Sequence, residues 1–180
     1  MVRVSRFVLA VCCIVLITGV CSCSGDKEEP GLFVSGVAGF SIKFPEQWVI
    51  YEEVGNWTPV VEGESPLDDE DDGFSEYVAV DVEQLPSKIS VDDYFDNYRR
   101  KLSAETRNFE QHEVGEVKID GTKAHYILYD KEMPEAYWRI LAYVMVKNGK
   151  GYVINCAAEN RQFDRNYEAL MEIAHTFEFK

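Results

Sequence analysis

The chain has 180 residues, of which 32 are acidic against 18 lysines and arginines, giving a formal net charge of −14. An excess of that size repels phosphate backbones and anionic headgroups, which excludes nucleic acid and an anionic membrane face as direct partners. Five cysteines are present, but Cys12, Cys13, Cys21 and Cys23 crowd the front of the chain and only Cys156 lies in the body. No disulfide framework can therefore form inside the body.

Arg3 and Arg6 precede the uncharged run "FVLAVCCIVLITGV" from Phe7 to Val20. A basic start followed by a short apolar core is the layout of a secretory leader. A spanning helix would need about 20 apolar residues, and this run falls short. At the boundary, "VCSC" places Val20 three residues before Cys23 and Ser22 directly before it. This resembles the lipobox of bacterial lipoproteins, in which a branched aliphatic and a small residue precede an obligatory cysteine; Cys21 departs from the alanine or serine usual at its position. The resemblance implies a signal peptide over 1–22, lipid attachment at Cys23 with palmitate-type acyl chains, and export to the cell envelope. In a Gram-negative cell, Ser24 after the cysteine implies the periplasmic face of the outer membrane. One acyl chain holds a protein marginally and two or more hold it stably, so a three-chain anchor would be permanent. Loss of Arg3 and Arg6 with the leader would take the net charge to −16. A metal or disulfide pair at Cys21 and Cys23 is the competing reading, and no histidine or further body cysteine stands near to complete it.

Residues 23–32 read as a flexible acidic linker, polar through "SGDKEEPG" and short enough to span under about 20 Å. Residues 33–180 have the length of one ordinary domain. Its first part, "GFSIKFPEQWVIY", alternates Phe40, Ile42 and Phe44 with polar residues, breaks at Pro45 and resumes at Trp48, predicting two short strands joined by a turn. An acidic loop is expected over 62–73. "EYVAVDVE" sets Val78, Val80 and Val82 on one face of a third strand.

"SVDDYFDNYRRKL" predicts a helix capped by Ser90 with Asp93 three residues on, and Tyr94, Phe95, Tyr98 and Leu102 form its apolar stripe. Asp92 and Asp93 near its start, and Arg99, Arg100 and Lys101 near its expected end, suit the helix dipole. Asp120-Gly121 and Asn148-Gly149 each predict a two-residue hairpin turn between long strands. The strand before Asn148 is apolar on both faces and must be covered on both. Phe163, Tyr167, Leu170, Met171 and Ala174 recur at helical spacing, and "FEF" closes the chain as a last strand.

Taken in order, "GFSIKFPEQW", the valine strand, the capped helix, the Gly121 hairpin, "GKGYVINCAA", Phe163 and "TFEF" resemble the PsbP and DcrB-like lipoprotein superfamily from Gly39 to Lys180. The resemblance implies an α/β (α+β) fold: a three-layer α/β/α sandwich around a mostly antiparallel sheet, Mog- and PsbP-like. It implies non-catalytic relatives that assemble with larger complexes, namely photosystem II, cell-envelope machinery or the GTPase Ran. No shared active site comes with it, and the 62–73 stretch is an insertion relative to the pattern.

No nucleophile elbow, zinc-protease, phosphate-loop or C-x-x-C motif is present. Cys156 and His125 would make a nucleophilic pair if they met; packed apart, they are a buried thiol and a strand histidine. His175, near a helix end, suits the dipole there. Asp68, Glu70, Asp72 and Gly73 imitate half of an EF-hand loop, but the closing glutamate position holds Ala79. A weak cation surface at Asp68, Glu70 and Asp72, and a partner contact at Trp57, are the site expectations; a solvated acidic loop and a core-edge tryptophan are the plain ones. The sequence thus points to a membrane-tethered, non-catalytic binding or assembly accessory with no cofactor and an envelope protein as partner. The other readings are a photosystem-associated factor, a calcium-responsive module, and an enzyme built on Cys156 and His125.

Overall fold

A computed structural model describes residues 29–52, 60–67, 73–86, 88–133 and 136–180. Cys23, Trp57, Asp68, Glu70 and Asp72 lie outside the described residues. In chain order the elements are β1 (Leu32–Ser35), β2 (Phe40–Lys43), β3 (Val49–Glu52), β4 (Val61–Glu64), β5 (Tyr77–Gln84), α1 (Val91–Glu105), β6 (Glu110–Ile119), β7 (Thr122–Glu132), β8 (Tyr137–Lys147), β9 (Lys150–Glu159), α2 (Phe163–His175) and β10 (Glu178–Phe179). The main sheet runs β3-β4-β5-β9-β8-β7-β6, and a small sheet runs β1-β2-β10. All the pairings are antiparallel.

The two long hairpins form where the turn chemistry puts them. Asp120 and Gly121 have φ of 45° and 67°, and Asn148 and Gly149 have 51° and 75°. Two successive positive φ values give the turn whose twist matches that of the flanking strands. β8 is covered on both faces, as its sequence requires. Leu141, Tyr143 and Met145 join the core shared with α2 and the small sheet, while Ile140, Ala142 and Val144 join the core under α1. The result is a three-layer α/β/α sandwich in which the small sheet shares one outer layer with α2. Phe40 pins that sheet down, fully buried, with its ring stacked on Phe177 at 5.2 Å and tilted against Phe33 at 5.7 Å.

The N-terminus of α1 is capped as predicted: the Ser90 hydroxyl accepts from the Asp93 N–H and donates to its carboxylate. The helix then runs on to Glu105, so Arg99, Arg100 and Lys101 sit inside it and its last turn carries no basic residue. "SAE" are adequate helix formers, and Thr106 closes the end by donating its N–H to the Leu102 carbonyl.

Two expectations are corrected, on where the body starts and on the stretch 62–73. The body starts before residue 33, because Leu32 opens β1 and the Phe44 N–H donates to the Gly31 carbonyl. On a further point there is agreement: the two short strands expected on either side of the Pro45 turn form as β2 and β3, in different sheets. The stretch 62–73 is not wholly a loop, because Val61–Glu64 is β4. Val61 and Gly63 face the core there, Gly63 against the Phe44 ring, and the absence of a side chain at 63 hid the strand's apolar alternation.

Candidate functional site

Strand pairing fixes which side chains share a face. Val49, Glu64, Tyr77 and Ala157 are successive register partners across β3, β4, β5 and β9, and so are Tyr51, Glu62, Ala79 and Asn155. Ala157 belongs to the core under α1, so these rows lie on the α1 side of the sheet. The helix, however, packs over β7 and β8. At the edge of that face Val49 and Tyr51 are 52% and 44% exposed, whereas farther in Ala79 is buried and Tyr77 packs on Trp138. Between α1 and β5 the face deepens into a groove of about 450 Å³, walled by Asp81, Glu83, Tyr94, Tyr98, Lys101 and Glu105 among others.

The floor of the groove is a hydrogen-bonded chain. Tyr98 donates to Asn155 Oδ1 at 3.3 Å, and Asn155 Nδ2 donates to Asp81 Oδ2 at 2.7 Å. Tyr129 bonds to Tyr98 beneath the helix, and burial pushes its hydroxyl up to about 12. Tyr94 reaches over the end of β9 and donates to Glu83 at 2.7 Å. Its ring can lie there because Gly151 has no side chain; a Cβ at that position would come within 2.4 Å of it. Gly151→Ala is therefore expected to cost about 1–3 kcal/mol and to break the Tyr94–Glu83 bond. Denaturant unfolding and near-ultraviolet tyrosine ellipticity would both report it.

Carboxylates gather on this face, Glu62 and Glu64 from β4 and Asp81 and Glu83 from β5. Glu62 is held above the ordinary carboxylate range, first by burial, then by repulsion from Glu64 and Asp81, and by a hydrogen bond shared with Glu64. The sign follows: a carboxyl raised in the fold favours the folded state most below its unfolded value, and that contribution is lost as pH rises through the folded value. Glu62→Gln should therefore raise the Tm at neutral pH and flatten its fall between acid and neutral pH. An unchanged or lower Tm at neutral pH would contradict this account of the face.

Elsewhere two groups of acids are satisfied within the chain. Asp92, Glu116 and His125 converge closely enough to hold a metal. Lys123 is already there, with its ammonium 2.8 Å from Asp92 and 3.0 Å from Glu116. Those bonds, with the one from His125, lower the Asp92 carboxyl. Glu110, His112 and Asp130 form a second such group. Asp130 is buried and already receives Arg139 Nε at 2.8 Å, Arg139 Nη2 at 3.0 Å, Asn160 Nδ2 at 2.6 Å and His112 Nε2 at 2.9 Å. Both arrangements are structural clamps.

The Cys156–His125 pair is not formed. Cys156 is fully buried on the α2 side, with its Sγ 3.7 Å from the Leu170 carbonyl, and burial pushes the thiol far up. His125 is on the opposite side of the sheet, stacked on Phe95 of α1 at 4.6 Å. His175 closes α2 beside Tyr143. The predicted contacts Trp57, Asp68, Glu70 and Asp72 lie outside the described residues, as does Cys23. The acidic face itself was half visible in the sequence. Placing Val78, Val80 and Val82 on one side leaves Tyr77, Ala79, Asp81 and Glu83 on the other.

No family model and no curated protein matches the chain. Solved structures do. The solution structure of cyanobacterial PsbP (CyanoP) from Synechocystis is similar with a TM-score of 0.62 at 18% identity, over 87% of this chain and 96% of that one. LpqN of Mycobacterium tuberculosis, described as involved in cell envelope biogenesis, is similar with a TM-score of 0.62 at 13% identity, over 83% and 89%. The Ran-binding protein Mog1p of Saccharomyces cerevisiae is similar with a TM-score of 0.53 at 13% identity, over 84% and 96%. The chain has the PsbP- and Mog-like fold. No described helix is long and apolar enough to cross a membrane.

Proposed function

We propose that the chain is a lipid-anchored, non-catalytic binding or assembly accessory of the bacterial cell envelope. The observation that carries this reading is the acid-lined β3–β5 face, exposed at Val49 and Tyr51, on a body whose one described thiol is buried and whose His112 and His125 are held in a clamp and a ring stack. The leader pattern and Cys23 support export and anchoring, and the likeness to LpqN supports an envelope setting. The lipid would confine the body to the membrane surface. A net charge near −16 would keep the body off anionic headgroups and present it to proteins.

A photosystem-associated role is the second reading, favoured by the likeness to CyanoP. A calcium-responsive module would rest on Asp68, Glu70 and Asp72, which lie outside the described residues.

The anchor is tested by fractionating cells that express the wild type and Cys23→Ala. The wild type should sediment with membranes and give an N-terminal fragment beginning at acylated Cys23, and the variant should be released. An unacylated wild type recovered in solution would overturn the anchor. Chemical crosslinking in the native envelope tests the accessory role: a defined protein should be captured by the wild type and lost with the untethered variant. Capture of no specific protein would count against the role.

A further inference from the structure

We propose that β1 and the β1–β2 turn rest on the zwitterionic interface of the bilayer, with Leu32, Val34 and Val37 as the contact. Strand alternation sends Phe33 into the core and leaves Leu32 and Val34 facing outward, 39% and 56% exposed. Val37, in the turn that follows, is 92% exposed. Turn tips are ordinarily glycine, asparagine, aspartate or serine, and three exposed aliphatics within six residues form a patch that calls for an apolar surface outside the body.

The turn is held rigid beneath these side chains. The Gly39 N–H donates to the Ser35 carbonyl at 2.7 Å, and the Ala38 N–H donates to Ser35 Oγ at 3.1 Å. Lys150 Nζ donates to the Val37 and Ala38 carbonyls at 2.6 and 3.1 Å, and the Tyr152 hydroxyl donates to the Ala38 carbonyl at 2.8 Å. With those carbonyls satisfied from within the fold, Val37 enters an apolar boundary at little cost in desolvation or ordering.

Two further observations say what covers the patch. The first is where the chain leaves the body. The Leu32 N–H donates to the Glu29 carbonyl at 3.0 Å, the Phe44 N–H donates to the Gly31 carbonyl at 2.9 Å, and Lys43 pairs with Glu29, so the exit is fixed beside Leu32. Only the residues from Ser24 to Gly31 separate Cys23 from β1, a span under about 20 Å. An acylated Cys23 therefore holds this strand at the bilayer at high effective concentration.

The second observation is the placement of charge. Lys43 is the register partner of Leu32, and Lys150 lies under Val37, so ammonium groups flank the patch where lipid phosphates would stand. Glu62, Glu64, Asp81 and Glu83 lie on the α1 side of the main sheet, whereas the small sheet packs on the α2 side. Seating β1 on the bilayer thus turns the acid-lined face away from lipid and toward proteins, and the negative excess keeps anionic lipid out of the contact.

This inference rests on the anchor in the reading above and can fail separately from it. If cells acylate the chain but the patch adds nothing to membrane binding, the inference falls and the anchor stands.

The test uses the full mature chain with one myristoyl-length acyl chain coupled chemically to the Cys23 thiol, Cys156 being buried and inert. The probe is a vesicle of phosphatidylcholine alone. One acyl chain binds only marginally, so a contribution from the body is read directly in the partition coefficient. The variant Leu32→Ser/Val34→Ser/Val37→Ser should partition on the order of tenfold more weakly while melting at the wild-type temperature. Should it melt lower, Val37→Ser alone, at the most exposed position, should still lose about threefold. Val49→Ser/Tyr51→Ser, on the other side of the main sheet, should partition like the wild type. Equal partition of the wild type and the patch variants would overturn the proposal, and so would an equal loss in the Val49/Tyr51 variant. A loss accompanied by a wild-type dimer that the patch variant lacks would assign the patch to a second copy of the chain, and would overturn the proposal too.

Discussion

Replacing Phe40 by alanine is expected to cost about 3–5 kcal/mol, enough to remove a large part of the stability of an ordinary domain. Phe40 is a central residue among those through which the small sheet packs on the main one. It is fully buried and packs on Phe33, Tyr152 and Phe177, with Phe177 stacked at 5.2 Å. Deleting the ring leaves a cavity between two sheets joined by few other bonds, such as the Tyr152 hydroxyl to the Ala38 carbonyl at 2.8 Å. The loss should therefore be local first. Hydrogen exchange should accelerate in β1, β2 and β10 beyond its change in β7 and β8, and the denaturant midpoint should fall. A variant with a midpoint near that of the wild type would contradict the assignment of Phe40 as the pin.

Asp130→Ala should also cost about 3–5 kcal/mol, because it strands Arg139 in a site it reaches through two bonds to that carboxylate. Asp130 ties four parts of the fold together: His112 of β6, its own strand β7, Arg139 of β8, and Asn160 in the turn before α2. Burial alone would raise its carboxyl. The bonds and charges of Arg139 and His112 outweigh that and hold it below the ordinary range. Stability from this group is therefore present above the unfolded carboxylate value and is lost as pH falls through the lower, folded value. The wild type should lose stability in acid through this clamp, and the alanine variant should lack that component. Replacing the pair together, as Asp130→Leu/Arg139→Met, should recover most of the loss, since no buried charge is then left alone. A double variant as unstable as the single one would show that the clamp is not what Asp130 contributes.

The parts of the fold legible in the sequence were those dictated locally. The Asp120-Gly121 and Asn148-Gly149 turns, the Ser90 cap and the two-faced apolar pattern of β8 each follow from residues within a few positions of one another. β4 was not legible, because Gly63 occupies an inward position and breaks the apolar alternation beside an acidic run. β1 was obscured for a similar reason: its four residues directly follow a Pro-Gly turn that reads as linker. β2 parts from β3 because it pairs instead with the preceding strand β1 on one side and, from the far end of the chain, with β10 on the other. The open face is tertiary as well. Glu62, Glu64, Asp81 and Glu83 become one surface only because α1 settles over β7 and β8 rather than over β4 and β5.

On the function we propose, this body meets a partner through the β3 edge of the acid-lined face while held at the membrane. Photocrosslinking from single positions in the native envelope tests it most directly, with a benzophenone residue replacing either exposed Tyr51 on β3 or exposed Glu168 on α2. Position 51 should capture one defined protein, position 168 should not, and Cys23→Ala should abolish the capture. Equal capture from both positions, or capture that persists unchanged without the anchor, would contradict the account.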